Sequence, residues 1–149
     1  MNLTKKDMSL LKCLRTNSRM TLTEISRKTK IPISTLYDRL KVQEKTINLK
    51  HTTLLDFDKI GLGTKAHIFL KTNIKERKPL ENYLRFNNNV NSLFKSTNRY
   101  DFIVEGLFSQ VKDVDEFIED LEIKFPSLKF DTHFIVEDLF KEQILNLNN

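Results

Sequence analysis

Residues 21–45, TLTEISRKTKIPISTLYDRLKVQEK, predict two short helices separated by a tight break. Thr21 and Glu24 have the spacing of a capping box, in which the two residues satisfy each other's free backbone amides at the start of a helix. This helix should end at Ile31, because the residue before a proline is disfavoured in the α-helical region. Ser34 is expected to cap the second helix. The stretch therefore decides the fold of the N-terminal part of the chain.

The second predicted helix has one apolar face and one polar, basic face. Ile33, Leu36 and Leu40 repeat at i, i+3 and i+7, which predicts that they face a core. Two short helices with a break of three or four residues are typical of a helix-turn-helix, whose second helix enters the DNA major groove. Thr4 and Asp7 predict the cap of a further helix before them. Three helices are expected to suffice for a small core.

Positive charge is concentrated in the N-terminal third of the chain. Residues 1–50 carry twelve Lys and Arg against four Asp and Glu, a net charge of +8. Residues 51–149 carry thirteen against sixteen, a net charge of −3. A basic module of this kind is typical of a domain that meets a polyanion. A solvated helical surface without a partner is the alternative interpretation.

The predicted contacts with double-stranded DNA divide by their chemistry. Cations would neutralise phosphates, which releases counterions and dominates affinity. Side chains near the start of the second helix would meet base edges. Arg39 has an alternative role, because it could instead pair with Asp38 or with a carboxylate on the first helix. The full predicted set is Arg19, Arg27, Lys28, Ser34, Thr35, Tyr37, Asp38, Arg39, Lys41 and Lys45.

The rest of the chain alternates between extended and helical patterns. Residues 47–57 predict a strand or an extended linker, which closes on a glycine turn at Gly61. The units that follow are, in order, a strand at 66–71, a helix at 75–86, strands at 93–97 and 100–108, a helix over 114–125 and a strand at 130–136. This order is β-α-β-β-α-β, the ferredoxin-like arrangement of an antiparallel sheet with both helices on one face. The last residues are ambiguous between a short helix and an added strand, and the final asparagines are expected to fray.

Alternation along these strands predicts two different faces of the sheet. The face expected under the second helix of this domain holds Tyr100, Phe102, Val104, Gly106 and Phe108. The residues expected on the open face are His67, Phe69, Ile103, Leu107 and Ile135. An apolar open face usually marks a subunit interface. A shift of register, which would place these residues in the core, is the alternative.

Composition and motif spacing argue against several function classes. No apolar run approaches the roughly 20 residues of a membrane span, and the N-terminus lacks a secretory pattern. The single cysteine, Cys13, favours a reduced, cytoplasmic setting. His51, His67 and His133 lack metal-ligand spacing, and no phosphate-binding glycine loop or nucleophile elbow is present. We therefore expect no catalytic residues, metal, cofactor or membrane partner.

Three segments, taken in this order, resemble the Lrp/AsnC (feast/famine) family of transcriptional regulators. They are LTKKDMSLLKCLRTNSRMTLTEISRKTKIPISTLYDRL, LLDFDKIGLG and NRYDFIVEGLF. The resemblance implies a helix-turn-helix followed by the ferredoxin-like RAM domain. It also implies that the RAM sheet forms a homodimer, that dimers can assemble further into octamers, and that an amino acid bound between RAM domains alters assembly and DNA affinity.

The resemblance assigns effector binding to a hairpin in which this chain departs from its relatives. The hairpin residues are Asn98, Arg99, Tyr100 and Asp101, and relatives commonly have glycine where Asn98 stands. Asparagine tolerates the left-handed backbone that such a turn needs, but its side chain could block a closely bound ligand. A hairpin that only holds the sheet together is the alternative. A second departure is the stretch EKTI at 44–47, where the family usually has a glycine after the second helix.

The expected protein is α+β and has three parts. A three-helix helix-turn-helix domain at 1–46 is joined by a linker at 47–63 to a ferredoxin-like RAM domain at 64–149. Its expected function is that of a sequence-specific regulator, dimeric or higher. An architectural DNA-binding protein with little sequence preference is one alternative. The other is a haem-precursor decarboxylase related to this family, in which His133 and Arg99 would act.

Overall fold

The structure, a computed structural model, describes residues 3–47, 49–141 and 144. The chain divides into two compact units, one formed by Met1–Leu54 with Leu139–Asn149 and the other by Leu55–Asp138. The division falls inside the predicted linker. The predicted domain limits at residues 46 and 64 remain predictions. Among the described residues, no helix is both long and apolar enough to cross a membrane.

The described residues of the first unit form three helices, α1 (Lys5–Thr16), α2 (Leu22–Thr29) and α3 (Ile33–Thr46). Their inward side chains form one apolar core. Its buried members are Leu10, Cys13, Leu14, Ile25, Ile31 and Leu36. Full burial of one such aliphatic side chain contributes about 1.5–3 kcal/mol. Helix α3 therefore has a fixed inner face, and its outer face is free for other contacts.

Both predicted capping boxes are present at the starts of α1 and α2. The Thr4 hydroxyl accepts from the backbone of Asp7 while the Asp7 carboxylate accepts from the backbone of Thr4. Thr21 and Glu24 make the same reciprocal pair at α2. These bonds satisfy amides that have no partner inside the helix. The N-termini of α1 and α2 are thus specified locally by sequence.

The start of α3 differs from the sequence prediction. Pro32 occupies the cap position, no side chain caps the helix, and Ser34 lies inside the first turn, so the predicted Ser34 cap is wrong. A proline before the helix already fixes a suitable backbone, and α3 begins at Ile33, two residues before the start that a Ser34 cap would give. Ile33 is 47% exposed, because Ile31 takes its expected place in the core beside Leu36. The helix then continues to Thr46 through the stretch where the family usually has glycine.

The second unit contains a four-stranded antiparallel sheet and two helices. Its elements are β1 (Thr64–Lys71), α4 (Ile74–Arg85), β2 (Val90–Lys95), β3 (Phe102–Phe108), α5 (Val111–Lys124) and β4 (Lys129–Ile135). The strand order is β2-β3-β1-β4, with every neighbouring pair antiparallel. The predicted β-α-β-β-α-β arrangement is therefore confirmed.

One face of this sheet is covered by α4 and α5. The buried strand residues on it include Ile68, Leu70, Phe102, Val104 and Phe108, and the helices contribute Leu80, Leu84, Val114, Phe117, Ile118 and Leu121. Tyr100 does not share this face, because it precedes β3 and its ring packs 5.3 Å from Phe69 on the opposite side. The prediction for Tyr100 is therefore wrong. The alternation of side chains between the two faces begins only at Phe102, because Tyr100 belongs to the hairpin and not to β3.

The other face of the sheet carries the residues predicted to be open. Phe69 lies opposite Ile103 on β3 and Asp131 on β4, which places all three on this face. Leu107 also lies there but is only 6% exposed, so its predicted exposure is wrong. It pairs across the strands with Lys65, which is itself buried by its ion pair with Asp138 at 2.5 Å. The end of the face near Leu107 is thus covered within the chain.

The connecting segments are less regular. Residues 49–56 lie in neither a helix nor a strand, which favours the extended linker over a strand. The linker closes on a short 3-10 turn at Asp58–Ile60, followed by Gly61 with φ of 82°. Residues 136–141 and 144 are also in neither helix nor strand. The remaining residues of the predicted tail lie outside the described part of the chain.

Candidate nucleic-acid interface

The outer face of α3 carries five of the predicted DNA contacts. They repeat at i, i+3, i+4, i+7 and i+11, so that helical geometry aligns them along one side of α3. All five are exposed, and they are Ser34, Tyr37, Asp38, Lys41 and Lys45. Thr35 is only half-exposed, because it lies between this face and the core. The sequence therefore produces a continuous polar strip opposite Leu36.

Tyr37 and Lys41 form a pair on this strip. The Lys41 Nζ atom lies 4.5 Å from the centre of the Tyr37 ring, a distance typical of a cation–π contact. Contact with Tyr37 is the main cause that raises the pKa of Lys41, and the nearby charges of Asp38 and Glu44 add to it. Lys41 therefore stays cationic and is held beside an aromatic ring that is 47% exposed.

Arg39 does not point along this strip but pairs with α1. Its Nη1 atom lies 3.1 Å from Asp7 Oδ2, 3.3 Å from Asp7 Oδ1 and 3.3 Å from Thr4 Oγ1. The arginine side chain is 37% exposed and the aspartate side chain 4%. The structure thus shows the alternative in which Arg39 pairs with a carboxylate on the first helix. A role for Arg39 at DNA remains a prediction.

Asp7 is the centre of this contact. Its burial opposes ionisation, but hydrogen bonds from Thr4 and from the Gln43 amide, together with the Arg39 charge, lower the pKa of the carboxyl. Gln43 is 2% exposed, and its Oε1 atom has no hydrogen-bond partner among the described residues. Sequence reasoning missed Gln43, although its place seven residues after Leu36 puts it on the inner face. The capping aspartate of α1 therefore also fixes the position of α3.

The remaining predicted cations lie around the helix-turn-helix. Arg19, Arg27 and Lys28 are all exposed. The Arg19 amide donates to Asn17 Oδ1 at 2.9 Å, which orders the turn between α1 and α2. Arg27 and Lys28 lie in the last turn of α2. All ten predicted DNA contacts thus belong to the first unit.

The predicted effector hairpin has a left-handed turn residue. Asn98 adopts φ of 70°, as expected for asparagine in place of glycine. Arg99 is 80% exposed and lies 3.5 Å from Asp131 Oδ2. The Tyr100 hydroxyl donates to the same Asp131 carboxylate, and this hydrogen bond is the main cause that raises the pKa of Tyr100. Two of the four predicted effector residues therefore contact β4.

Asp101 is committed to contacts with neighbouring elements. Its Oδ1 atom lies 2.8 Å from Arg77 Nη2 and 3.2 Å from Lys71 Nζ, and its Oδ2 atom accepts from the Thr72 amide at 3.0 Å. Burial opposes ionisation, but the Thr72 amide and the Lys71 and Arg77 charges lower the pKa of the carboxyl. Asp101 therefore ties the hairpin to the end of β1 and to α4.

Comparisons with known proteins agree with both units. Residues 3–42 match the family model of winged helix-turn-helix DNA-binding domains. A helix-turn-helix transcriptional regulator of Pyrococcus furiosus is 26% identical over 132 residues, which are 88% of this chain and 89% of that one. Another, from Pyrococcus horikoshii, is 25% identical over 138 residues, 92% and 93% of the two chains.

Solved structures match the chain over nearly its whole length. A transcriptional regulator of Neisseria meningitidis in complex with L-methionine gives a TM-score of 0.88 at 23% identity and covers 99% of this chain and 98% of that one. LrpC of B. subtilis gives 0.85 at 19% identity, covering 94% and 99%. AsnC of E. coli gives 0.86 at 11% identity, covering 97% and 99%. The chain has the Lrp/AsnC fold. The α+β prediction and the resemblance are thereby confirmed.

Histidines in this Lrp/AsnC fold do not form a metal centre in the part of the chain that the structure describes. His67 Nε2 lies 3.5 Å from Glu105 Oε2 on the open sheet face. His133 packs edge-on against the Phe69 ring, with 5.3 Å between ring centres. Each of these two histidines thus contacts a neighbouring side chain of the sheet.

Proposed function

We propose that this protein is a cytoplasmic, sequence-specific DNA-binding transcriptional regulator that acts as a dimer. The observation that carries the proposal is the outer face of α3, where Tyr37, Lys41 and Lys45 are exposed on a helix whose inner face is held by Leu36 and Arg39. A rigid helix with a polar, cationic outer face suits insertion into the major groove. The match of residues 3–42 to DNA-binding domains and the named regulators among the relatives support this reading.

The geometry of α3 suggests different roles for its side chains in stability, phosphate contact and base contact. Arg39 stabilises the helix-turn-helix through Asp7, whereas Lys41 and Lys45 remain available for phosphates. Ser34, Tyr37 and Asp38 lie in the first two turns of α3, where side chains reach base edges. Asp38 would accept from a cytosine amine, since a carboxylate beside a phosphate is unfavourable.

DNA binding is tested by its dependence on salt. Neutralising a phosphate releases counterions, so each lost contact should reduce the slope of log K against log salt by about 0.9. Lys41→Ala with Lys45→Ala is expected to weaken binding and reduce this slope by about 2. Lys75→Ala with Lys78→Ala removes the same charge from exposed positions on α4 and is the matched control. Equal slopes for the two double variants would contradict the proposed interface.

Sequence specificity is tested by selecting bound sites from a random DNA pool. A dimeric regulator should enrich two related half-sites about 10 base pairs apart, or a multiple of that distance. An architectural protein would enrich no defined site, because it binds backbone and deformable sequence. This result decides between the two DNA-binding functions.

We propose that two chains associate through the open face of the sheet. This face presents Phe69, Ile103 and Phe94, of which Phe94 is 56% exposed. A second copy would bury such a surface and would supply the second helix-turn-helix that a useful specificity requires. Octamers would require further contacts between dimers.

The dimer is tested by sedimentation of the full chain. Phe69→Asp places a charge in the middle of the proposed interface and should shift the chain to monomer. Ile123→Asp is the matched control, since Ile123 is 78% exposed on α5. A Phe69→Asp chain that sediments like the control would exclude the open face as the interface.

Amino-acid binding at the hairpin is a second part of the proposal. The solved relative with L-methionine supports an amino-acid ligand. In this chain Asn98 and Arg99 have the exposed side chains, and Arg99 remains 80% exposed although it lies 3.5 Å from Asp131. Tyr100 and Asp101 are less exposed and are engaged by Asp131, Lys71 and Arg77. Calorimetry with L-methionine on the wild type and on Arg99→Ala tests this role, and equal affinities would contradict it.

A further inference from the structure

Two apolar side chains are exposed at the start of α3. Ile33 and Tyr37 are each 47% exposed, on a helix whose inner face already places Leu36 in the core. The core of the first unit is formed without either of them, because Ile31 takes the place expected for Ile33. Single exposed apolar residues are common, but these two stand four positions apart and are therefore neighbours on one side of the helix. They form a small apolar patch at the N-terminal end of α3.

Lysines continue the row that the patch begins. Ile33, Tyr37 and Lys41 follow one another at i, i+4 and i+8, and Lys41 Nζ lies 4.5 Å from the centre of the Tyr37 ring. Lys45 is exposed one turn further on. An apolar protein surface docked on this row would bury the two cations at a cost in free energy. The major groove of DNA suits both parts, since phosphates line its edges and thymine methyl groups lie on its floor.

The first six residues of α3 include no side chain that commonly reads guanine or adenine. Guanine is read mainly by Arg or Lys, and adenine by Asn or Gln. The sequence from 33 to 38 is ISTLYD and contains none of these four residue types. Arg39, the next residue, is engaged by Asp7 on α1. The base groups that suit this surface are the thymine methyl, which apolar side chains contact, and the cytosine amine, which can donate to Asp38.

We propose that Ile33 and Tyr37 read the methyl groups of two neighbouring thymines in each half-site of the DNA. This inference rests on the proposed binding of DNA through α3 and adds the base that the start of the helix selects. Four residues of α-helix rise about 6 Å, less than two base-pair steps of about 3.4 Å, so the two thymines lie close together. Ile33 is thus a specificity-determining residue, although the spacing of apolar residues predicts it in the core.

Substitution of uracil for thymine is the test, because uracil lacks only the methyl group and keeps the same hydrogen-bonding groups. The probe is the duplex that the full-length chain enriches from the random DNA pool, synthesised with uracil at one half-site thymine at a time. Loss of one buried methyl-sized contact weakens binding by about fourfold. We expect a loss of this size at two neighbouring thymines in each half-site. Uracil at thymines outside the half-sites is the control and should leave the affinity unchanged.

The outcomes separate this inference from sequence-specific binding itself. An enriched site whose affinity is insensitive to uracil at every thymine, or whose half-sites lack thymine, would overturn the reading of thymine and leave sequence-specific binding intact. A pool that yields no enriched site would overturn both, since no base would then be read. These measurements use the wild-type chain and do not depend on the folding of any variant.

Ile33→Ala assigns one of the two thymines to its side chain. The variant should bind the thymine duplex more weakly and should show no further loss when uracil replaces the thymine that Ile33 contacts. Val42→Ala is the matched control, because Val42 is a 53% exposed apolar residue half a turn around α3 from Ile33. The control should keep wild-type affinity and both uracil effects. An Ile33→Ala chain that keeps both uracil effects in full would exclude Ile33 as a reader of thymine.

Tyr37→Phe distinguishes the ring of Tyr37 from its hydroxyl group. The variant keeps an aromatic ring at the same position and should retain both uracil effects. Loss of one uracil effect would mean that the hydroxyl group is needed to read the base, and it would overturn the role of the ring.

Salt dependence and sedimentation exclude two other roles of the apolar patch. An apolar contact releases no counterions, so Ile33→Ala should lower the affinity and leave the slope of log K against log salt unchanged. A reduced slope would mean that phosphate contacts were lost, and it would overturn direct reading by Ile33. The patch would instead join two copies of the chain if Ile33→Ala shifted the protein toward monomer in sedimentation, a result that would also overturn the proposal.

Discussion

Helix α3 and the hairpin between β2 and β3 are both predicted binding sites, but their polar side chains differ in what they contact. On α3, Tyr37, Lys41 and Lys45 are exposed, and Arg39 alone of the predicted cations there reaches across to another helix. In the hairpin, the Asp101 carboxylate contacts Lys71 of β1, the Thr72 backbone amide and Arg77 of α4. Residue type alone therefore does not show which polar side chains are exposed and which are engaged within the chain.

The difference teaches that an internal partner decides whether a charged residue serves folding or binding. Asp7 and Asp101 have a similar arrangement, a nearly buried carboxylate that accepts from a backbone amide and pairs with cationic side chains, one for Asp7 and two for Asp101. Each fixes one functional element in place, α3 in the first case and the hairpin in the second. Lys41 on α3 and Arg99 in the hairpin each contact one neighbouring side chain, Tyr37 and Asp131 respectively, but stay exposed to solvent.

The largest expected effect is on the stability of the helix-turn-helix. Asp7→Ala removes the carboxylate half of the α1 capping box, while the Thr4 hydroxyl can still cap the helix, and it leaves the Arg39 guanidinium and the Gln43 amide without their shared partner. We expect a loss of about 3 kcal/mol in the free energy of unfolding, measured by urea denaturation followed by helical circular dichroism. Asp38→Ala removes an exposed carboxylate from α3 itself and should change stability by less than about 0.5 kcal/mol. Similar losses in both variants would show that Asp7 does not hold α3.

A smaller effect is expected from acid. The pKa values of Asp7 and Asp101 are both lowered in the folded chain. Their stabilisation is therefore complete above the unfolded pKa of about 3.9 and is lost as pH falls through the lower folded values. Each group should contribute a slope of up to about 1.4 kcal/mol per pH unit in that range.

The measurement is the free energy of unfolding between pH 5 and the acid transition, in wild type and in Asp7→Asn with Asp101→Asn. The double variant should be less stable at neutral pH and should show a flatter decline below about pH 4. Parallel declines in the two chains would mean that other carboxylates control acid unfolding.

Most of the fold follows from patterns that sequence contains locally. The caps at Thr4 and Thr21 depend on residues three positions apart, and the β-α-β-β-α-β order along the chain follows from alternating and helical spacing of apolar residues. The errors lie where a distant group decides. Ile33 is exposed because Ile31 fills the core, and Leu107 is covered beside the pair Lys65–Asp138, whose members are 73 residues apart.

The candidate sites were less predictable for the same reason. Periodicity places Tyr37, Lys41 and Lys45 on one face, but it cannot show that Arg39 bonds to Asp7, 32 residues away. The engagement of Asp101 by Arg77, Lys71 and Thr72 likewise depends on the packing of β1, α4 and the hairpin. Contacts between elements therefore decide which predicted ligand-binding residues are free.

The smallest expected effect is at the turn of the hairpin. Asn98 adopts φ of 70°, where glycine has no steric cost and asparagine only a small one. Asn98→Gly should change the free energy of unfolding by less than about 0.5 kcal/mol, whereas Asn98→Ala should lower it by about 1 kcal/mol. If the asparagine side chain blocks a ligand at the backbone, the Asn98→Gly chain should also bind L-methionine more tightly than the wild type. Unchanged L-methionine binding together with unchanged stability would mean that Asn98 only forms the turn. The hairpin would then differ fully from α3, because its contacts would stabilise the sheet and would not bind a ligand.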